Sequence, residues 1–131
     1  MASRGKRSSA YQGRNIKPVA IRSNSESEFN FDVAETTPIG IVAAPCDGRG
    51  LGIAYVVIEA VDGTPTITVA NATTGASTTA VLATGSAAAT VYKALAAELP
   101  FSRGDKITLT SDGNGSTGKL AADLIYADET V

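Results

Sequence analysis

The chain predicts an all-β protein: a jelly-roll-like or immunoglobulin-like β-sandwich of about seven to eight strands, preceded by an extended N-terminal arm. Three observations carry this expectation. Turn-forming residues recur about every ten positions beyond the N-terminal segment. The stretches between them alternate apolar and polar residues with the period of a strand, and no βαβ spacing interrupts the series. At 131 residues, with 44% hydrophobic and 18% charged content, the chain suits one globular core. The expected organisation is an arm over residues 1–25 and a sandwich over 26–131.

The arm is defined by charge. Six cations, Arg4, Lys6, Arg7, Arg14, Lys17 and Arg22, precede the first acid, Glu26. The five remaining cations face all thirteen acids, so the first 25 residues carry +6 and the rest −8, which together make the net −2. A segment rich in Ser, Arg, Lys, Gly and Asn with scattered apolar residues has no face to bury and is ordered by docking. Lys17-Pro18-Val19-Ala20-Ile21 departs from this. Pro18 sets an extended start, and Val19 and Ile21 alternate with Ala20 and Arg22, as in a short edge strand or a strand lent to a neighbour. The expected partner-binding residues are therefore Arg4, Lys6, Arg7, Arg14, Lys17, Pro18, Val19, Ile21 and Arg22. Fully extended, 23 residues span at most about 75 Å, enough to cross a neighbouring subunit. Tyr11 is the arm's one aromatic residue, which argues for a protein surface ahead of stacked nucleic-acid bases.

The body follows strand by strand. Phe29, Phe31 and Val33 fall on one side, with Glu28, Asn30 and Asp32 on the other. Pro38 opens Ile39 to Ala43, and Cys46 to Gly52 contains three glycines suited to positive backbone angles in a tight loop. Ile53 to Val61 is apolar on both sides, as in a central strand of a packed sandwich, and Asp62-Gly63-Thr64-Pro65 turns. Thr66 to Ala70 alternates, Asn71 to Gly75 turns, and Thr78 to Ala83 is a further β-branched run. Ala87 to Leu99 reads as strand or helix, because Val91, Leu95 and Leu99 recur at helical spacing while Thr90-Val91-Tyr92 is strand-like. Arg103-Gly104-Asp105 turns into Lys106 to Thr110, which points Ile107 and Leu109 inward. A Gly-rich loop over 111–118 leads to a final strand, Lys119 to Ala127, with Leu120, Ala122, Leu124 and Tyr126 inward and Asp123 outward. A core of such small side chains buries little area per residue, so stability is expected to be completed by association.

Composition excludes most chemistry. With no histidine, no tryptophan and one cysteine, Cys46, the chain cannot build Ser-His-Asp or Cys-His sites, a redox cysteine pair, an internal disulfide or a Cys/His zinc site. No catalytic, cofactor-binding or metal-ligating residue is assigned. Arg103-Gly104-Asp105 matches a cell-adhesion tripeptide but sits where a turn is required. Asp112 to Ser116 resembles a calcium loop, but the acid that would close its shell, Asp123, falls on the final strand. Gly48-Arg49-Gly50 lacks the Lys-Ser/Thr pair and helix of a phosphate cradle. The acids Glu28, Asp32, Glu59, Asp62 and Glu98 offer no distinguished pair for glycoside hydrolysis. Asn71-Ala72-Thr73 and Asn114-Gly115-Ser116 match the glycosylation triplet but read as turns. No apolar run reaches membrane-span length, and no small-molecule substrate or membrane partner is expected.

Phe101 to Gly113, with the strand ending at Tyr126, resembles a hairpin of small virion proteins of tailed bacteriophages, the capsid decoration (cement) proteins and related fibre or spike modules. The likeness covers residues 26–128 in overall pattern and is sharpest over 101–126, where a Gly-Asp turn precedes an alternating strand and a Gly/Ser-rich loop. It implies a β-sandwich that binds the outside of a capsid, made in the host cytoplasm and carried on the virion surface. The implied partners are the major capsid protein and copies of the chain itself, as a trimer ahead of a dimer. The function expected is capsid stabilisation by bridging subunits, with the arm on acidic ground of the capsid protein. Two alternatives stand beside it. One is a jelly-roll coat protein whose basic arm contacts packaged nucleic acid. The other is a fibre or receptor-binding module recognising a surface glycan through loops at 47–52 and 111–118.

Overall fold

The computed structural model describes residues 15–23 and 30–130. Ten strands run in chain order: β1 (Asn15–Ala20), β2 (Arg22–Ser23), β3 (Asn30–Asp32), β4 (Pro38–Ala43), β5 (Gly48–Asp62), β6 (Thr66–Asn71), β7 (Ser77–Val81), β8 (Thr90–Phe101), β9 (Lys106–Ser111) and β10 (Thr117–Asp128). They form two antiparallel sheets. In the first, β10 lies between β5 and an edge shared end to end by β1 and β3, and β8 closes the far side. The second has the order β2-β4-β9-β6-β7.

The pairing has a simple logic. Among β3 to β10, first pairs with last (β3 with β10), second with next to last (β4 with β9), then β5 with β8 and β6 with β7. A long hairpin rolled on itself makes those four pairings, and the sheet orders β3-β10-β5-β8 and β4-β9-β6-β7 are those of a jelly roll. Of the two sandwich types the sequence allows, the strand order selects this one. The strand count exceeds the expected seven to eight because β1 and β2 extend the two sheets from the N-terminal side.

Between the sheets lies one core. The first sheet contributes Ile53, Tyr55 and Val57 of β5, Leu95 and Leu99 of β8, and Leu120, Leu124 and Tyr126 of β10. The second contributes Ile39, Val42, Ile67, Val69, Ile107 and Leu109. Phe101 meets Tyr126 edge to face, with ring centroids 5.9 Å apart. Alternation places Ile107, Leu109, Leu120, Leu124 and Tyr126 inward as the sequence predicts, because successive side chains of a strand point to opposite faces, while in β4 a register shift between Pro38 and Gly40 precedes the inward Val42.

Three expectations need correction or a decision. The arm was expected to end at residue 25, yet β1 pairs with β10 from Asn15↔Asp128 to Ala20↔Asp123, and β2 pairs with β4. Residues 15–23 therefore belong to the two sheets. Ile21, whose amide donates to the Ala122 carbonyl at 3.0 Å, passes between them and is wholly buried. The edge strand expected around Lys17 to Ile21 is β1, and its Pro18 is tolerated because an edge strand leaves one side of its backbone unpaired. Second, residues 48–52 are the start of β5, not a loop. None of Gly48, Gly50 and Gly52 has a positive φ; a side chain on Gly48 would press on the Ala127 carbonyl, and one on Gly52 on the Tyr92 ring. Third, the ambiguous alanine-rich stretch is a strand from Thr90. Its pairing with β5 jumps from Gly50↔Leu99 to Gly52↔Ala94, a bulge that absorbs the extra alanines. β5 is central in its sheet, as expected, and one of its faces is covered by the second sheet.

The turns behave as their residues predict. Gly63, Gly75 and Gly104 take positive φ at the turns assigned to them. Asn71 is fully buried, and its Oδ1 accepts from the amides of Thr73 and Thr74, an Asx turn in place of a glycosylation site. In the Arg-Gly-Asp turn, Asp105 Oδ2 accepts from the Ser102 amide at 2.9 Å and from Asn71 Nδ2 at 2.8 Å. These donors hold its carboxyl below the usual range. Buried and engaged in this way, Asp105 is a structural residue.

Candidate functional site

The uncovered face of the first sheet is where the structure departs most from an ordinary surface. On β5, Tyr55 and Val57 point into the core, so Ala54, Val56 and Ile58 point out. Register lines up their neighbours. Ala20, Asp123, Ala54 and Tyr92 form one row across β1, β10, β5 and β8, and Ala121, Val56 and Thr90 form the next. Five large apolar side chains are exposed among the described residues, and four of them, Ile16 (39%), Val56 (38%), Ile58 (45%) and Tyr92 (48%), stand on this face. The fifth, Val81, lies on β7 of the other sheet.

A groove of about 540 Å³ runs over the two rows, and Asp123 is the one carboxylate among its lining residues. Its depth follows from residue size. Ala20, Ala54 and Ala121 make a low floor, while Tyr92, held over Gly52, and Val56 rise beside it. An apolar trough bordered by one carboxylate suits a segment carrying apolar side chains and a cation.

The predicted partner-binding residues are distributed differently. Arg4, Lys6, Arg7 and Arg14 lie outside the described residues. Lys17 donates from Nζ to Asp128 Oδ2 at 2.9 Å. That bond raises the Lys17 ammonium above its ordinary range, and together with donors from Thr130 it holds the Asp128 carboxyl far below the usual carboxylate range. The Cys46 thiol, half-buried beside Asp128, is pushed up by desolvation and by the neighbouring carboxylate. Pro18 is exposed on the outward side of β1, and Arg22 is exposed on β2. Val19 packs against the core and Ile21 is inside it. Ile21 is thus a fold residue, because no external partner reaches a side chain with zero exposure. Lys17 and Arg22, the described cations of this set, stand in different sheets.

Sequence reasoning missed Val56, Ile58, Tyr92, Ala121 and the position of Asp123 on one face. The signal was present in part. The second apolar side of β5 implies a covering layer, but the outward positions of β10 opposite it are Ala121 and Asp123, too small and too polar for the floor of a second core. Elsewhere, Arg49 Nε lies 3.3 Å from Glu129 and Lys119 Nζ 3.6 Å from Glu59, exposed pairs of small energetic weight. Among the described residues no three His, Cys, Asp or Glu side chains gather to hold a metal ion. Comparison of the chain with protein-family models, curated proteins and solved structures finds no match.

Proposed function

We propose that this protein is a non-enzymatic virion component, a capsid decoration or cement protein that assembles with copies of itself on the outer surface of a phage shell and braces neighbouring capsid subunits. The observation that carries this reading is the concentration of four of the five exposed large apolar side chains on one sheet face. Large apolar side chains gathered on one face of a small domain are costly in water and mark a contact surface. The hairpin resemblance over residues 101–126 supplies the capsid context, and the basic residues before Asn15 supply a second, electrostatic contact. Reinforcement is mechanical: contacts shared among several copies must open together before any copy leaves, so release is slow even when each contact is modest.

The test uses empty shells from the same source. Full-length protein is expected to co-sediment with shells at saturable occupancy, and removal of residues 1–14 to reduce that occupancy at least about tenfold. The deletion stops at 14 because residues 15–23 carry two strands and a core side chain. Unchanged occupancy after the deletion, or no binding by the full chain, overturns the reading.

The jelly-roll order also favours a second reading, a coat protein whose basic segment contacts packaged nucleic acid. It predicts that log affinity for nucleic acid falls with log salt at about 0.7 to 0.9 per neutralised phosphate. A flat salt response removes it.

A further inference from the structure

We propose that the groove over Ala54, Val56, Tyr92 and Asp123 is filled by residues 1–14 of a neighbouring copy of the chain. This names the partner segment within the assembly reading above and rests on it.

Charge complementarity selects the occupant. Residues 1–14 contain four cations and no acid; residues 15–131 keep the other seven cations against all thirteen acids, a net −6. Two bodies therefore repel, while each attracts the other's N-terminal segment. Face-to-face pairing of two outer sheet faces would also bring the Asp123 carboxylates of both copies into one apolar interface, where like charges are penalised. A cationic segment instead neutralises Asp123.

Chain direction selects a neighbouring copy. β1 runs from Asn15 beside Asp128 to Ala20 beside Asp123, and Ala20 borders the groove. Followed backwards from Ala20, the chain leaves the sheet at Asn15, at the end away from the groove. To fill its own groove the preceding segment would have to reverse direction, whereas fourteen extended residues reach at most about 46 Å onward, far enough to meet a further copy.

Size and chemistry agree. The row from Ala20 to Tyr92 crosses three interstrand spacings, about 14 Å, which about five extended residues cover. Arg7-Ser8-Ser9-Ala10-Tyr11 offers a cation for Asp123 at one end and an aromatic ring for the Tyr92 and Val56 side at the other. Small side chains between them suit a floor made of alanines. Gln12 to Arg14 then link the docked stretch to the donor's own β1.

The experiment uses the full chain in solution, without shells. Sedimentation equilibrium is expected to show self-association that Arg7→Glu or Asp123→Arg each weakens about three- to tenfold and that the two together restore. In a Cys46→Ala background, a spin label on Ser9→Cys, mixed with isotope-labelled copies carrying no spin label, is expected to broaden the amides of Ala54, Tyr92, Ala121 and Asp123. A monomeric full chain, association insensitive to either charge reversal, or unbroadened groove amides in the isotope-labelled copies overturns the inference. Docking seen in solution alongside absent shell binding leaves the inference standing and removes only the capsid reading.

Discussion

Lys17 and Asp128, 111 positions apart in the chain, meet through a 2.9 Å hydrogen bond that ties the first edge strand to the end of the last strand. The bond stabilises both charged forms, so its pH dependence has a defined sign. Asp128 titrates below its ordinary range, so its contribution is present above the usual carboxylate pKa and is lost as pH falls through and below that range. Lys17 is raised, so its contribution is present below about pH 10 and is lost in strong alkali. Asp128→Asn is expected to flatten the fall in urea midpoint between about pH 4 and pH 2, leaving a residual slope from Asp105, whose carboxyl is also depressed. An unchanged acid slope contradicts the pairing.

Truncation separates the N-terminal segment from the fold. Removing residues 1–14 is expected to leave the thermal midpoint within a few degrees of the full chain. Removing residues 1–23 takes away β1, β2 and the buried Ile21, and is expected to cost most of the stability. Ile21→Ala alone should cost about 3 kcal/mol by chemical denaturation, the usual range for deleting a fully buried branched side chain. A cost under about 1 kcal/mol would place Ile21 outside the core.

Asn71 ties the turn after β6 to the turn before β9 and, across the sandwich, to β8 of the first sheet. It accepts from Thr73 and Thr74 and donates to Asp105 and to the Pro100 carbonyl, and it is fully buried. Asn71→Ala leaves these groups short of partners and is expected to destabilise by about 2–3 kcal/mol in urea unfolding.

Two glycines of β5 give a contrast. A side chain at Gly48 would meet the Ala127 backbone carbonyl, which cannot yield without bending β10, so Gly48→Ala is expected to cost about 1–3 kcal/mol. At Gly52 the obstacle is the half-exposed Tyr92 ring, which can swing aside. Gly52→Ala should therefore cost under about 1 kcal/mol while reshaping the groove, seen as a change in the Tyr92 ring resonances. Equal costs at the two positions would argue against this geometry.

The outer face is expected to matter for association and little for folding. Val56→Ser and Ile58→Ser remove side chains already open to water, so the unfolding free energy should move by under about 1 kcal/mol. Self-association and shell binding should fall together. A large loss of stability would mean that the face is covered within the single chain.

The all-β class, most of the turns and the inward sets of the last two strands were legible in the sequence, because the period of two and the backbone demands of Gly, Asn and Asp are local properties. Ile107, Leu109, Leu120 and Leu124 stand where alternation puts them, and Gly63, Gly75 and Gly104 turn where they should. Residues at spacing four, such as Val91, Leu95 and Leu99, share a face in a helix and in a strand alike, so only pairing with β5 decided that stretch. Pairing also decided what no local rule contains: that strands joined first to last make a jelly roll, and that Ile21 of a basic segment lies in the core. It decided too that Val56, Ile58 and Tyr92 share a face with Asp123. The physical reason is that burial depends on what packs above a strand, and that is set by contacts between residues far apart in the chain.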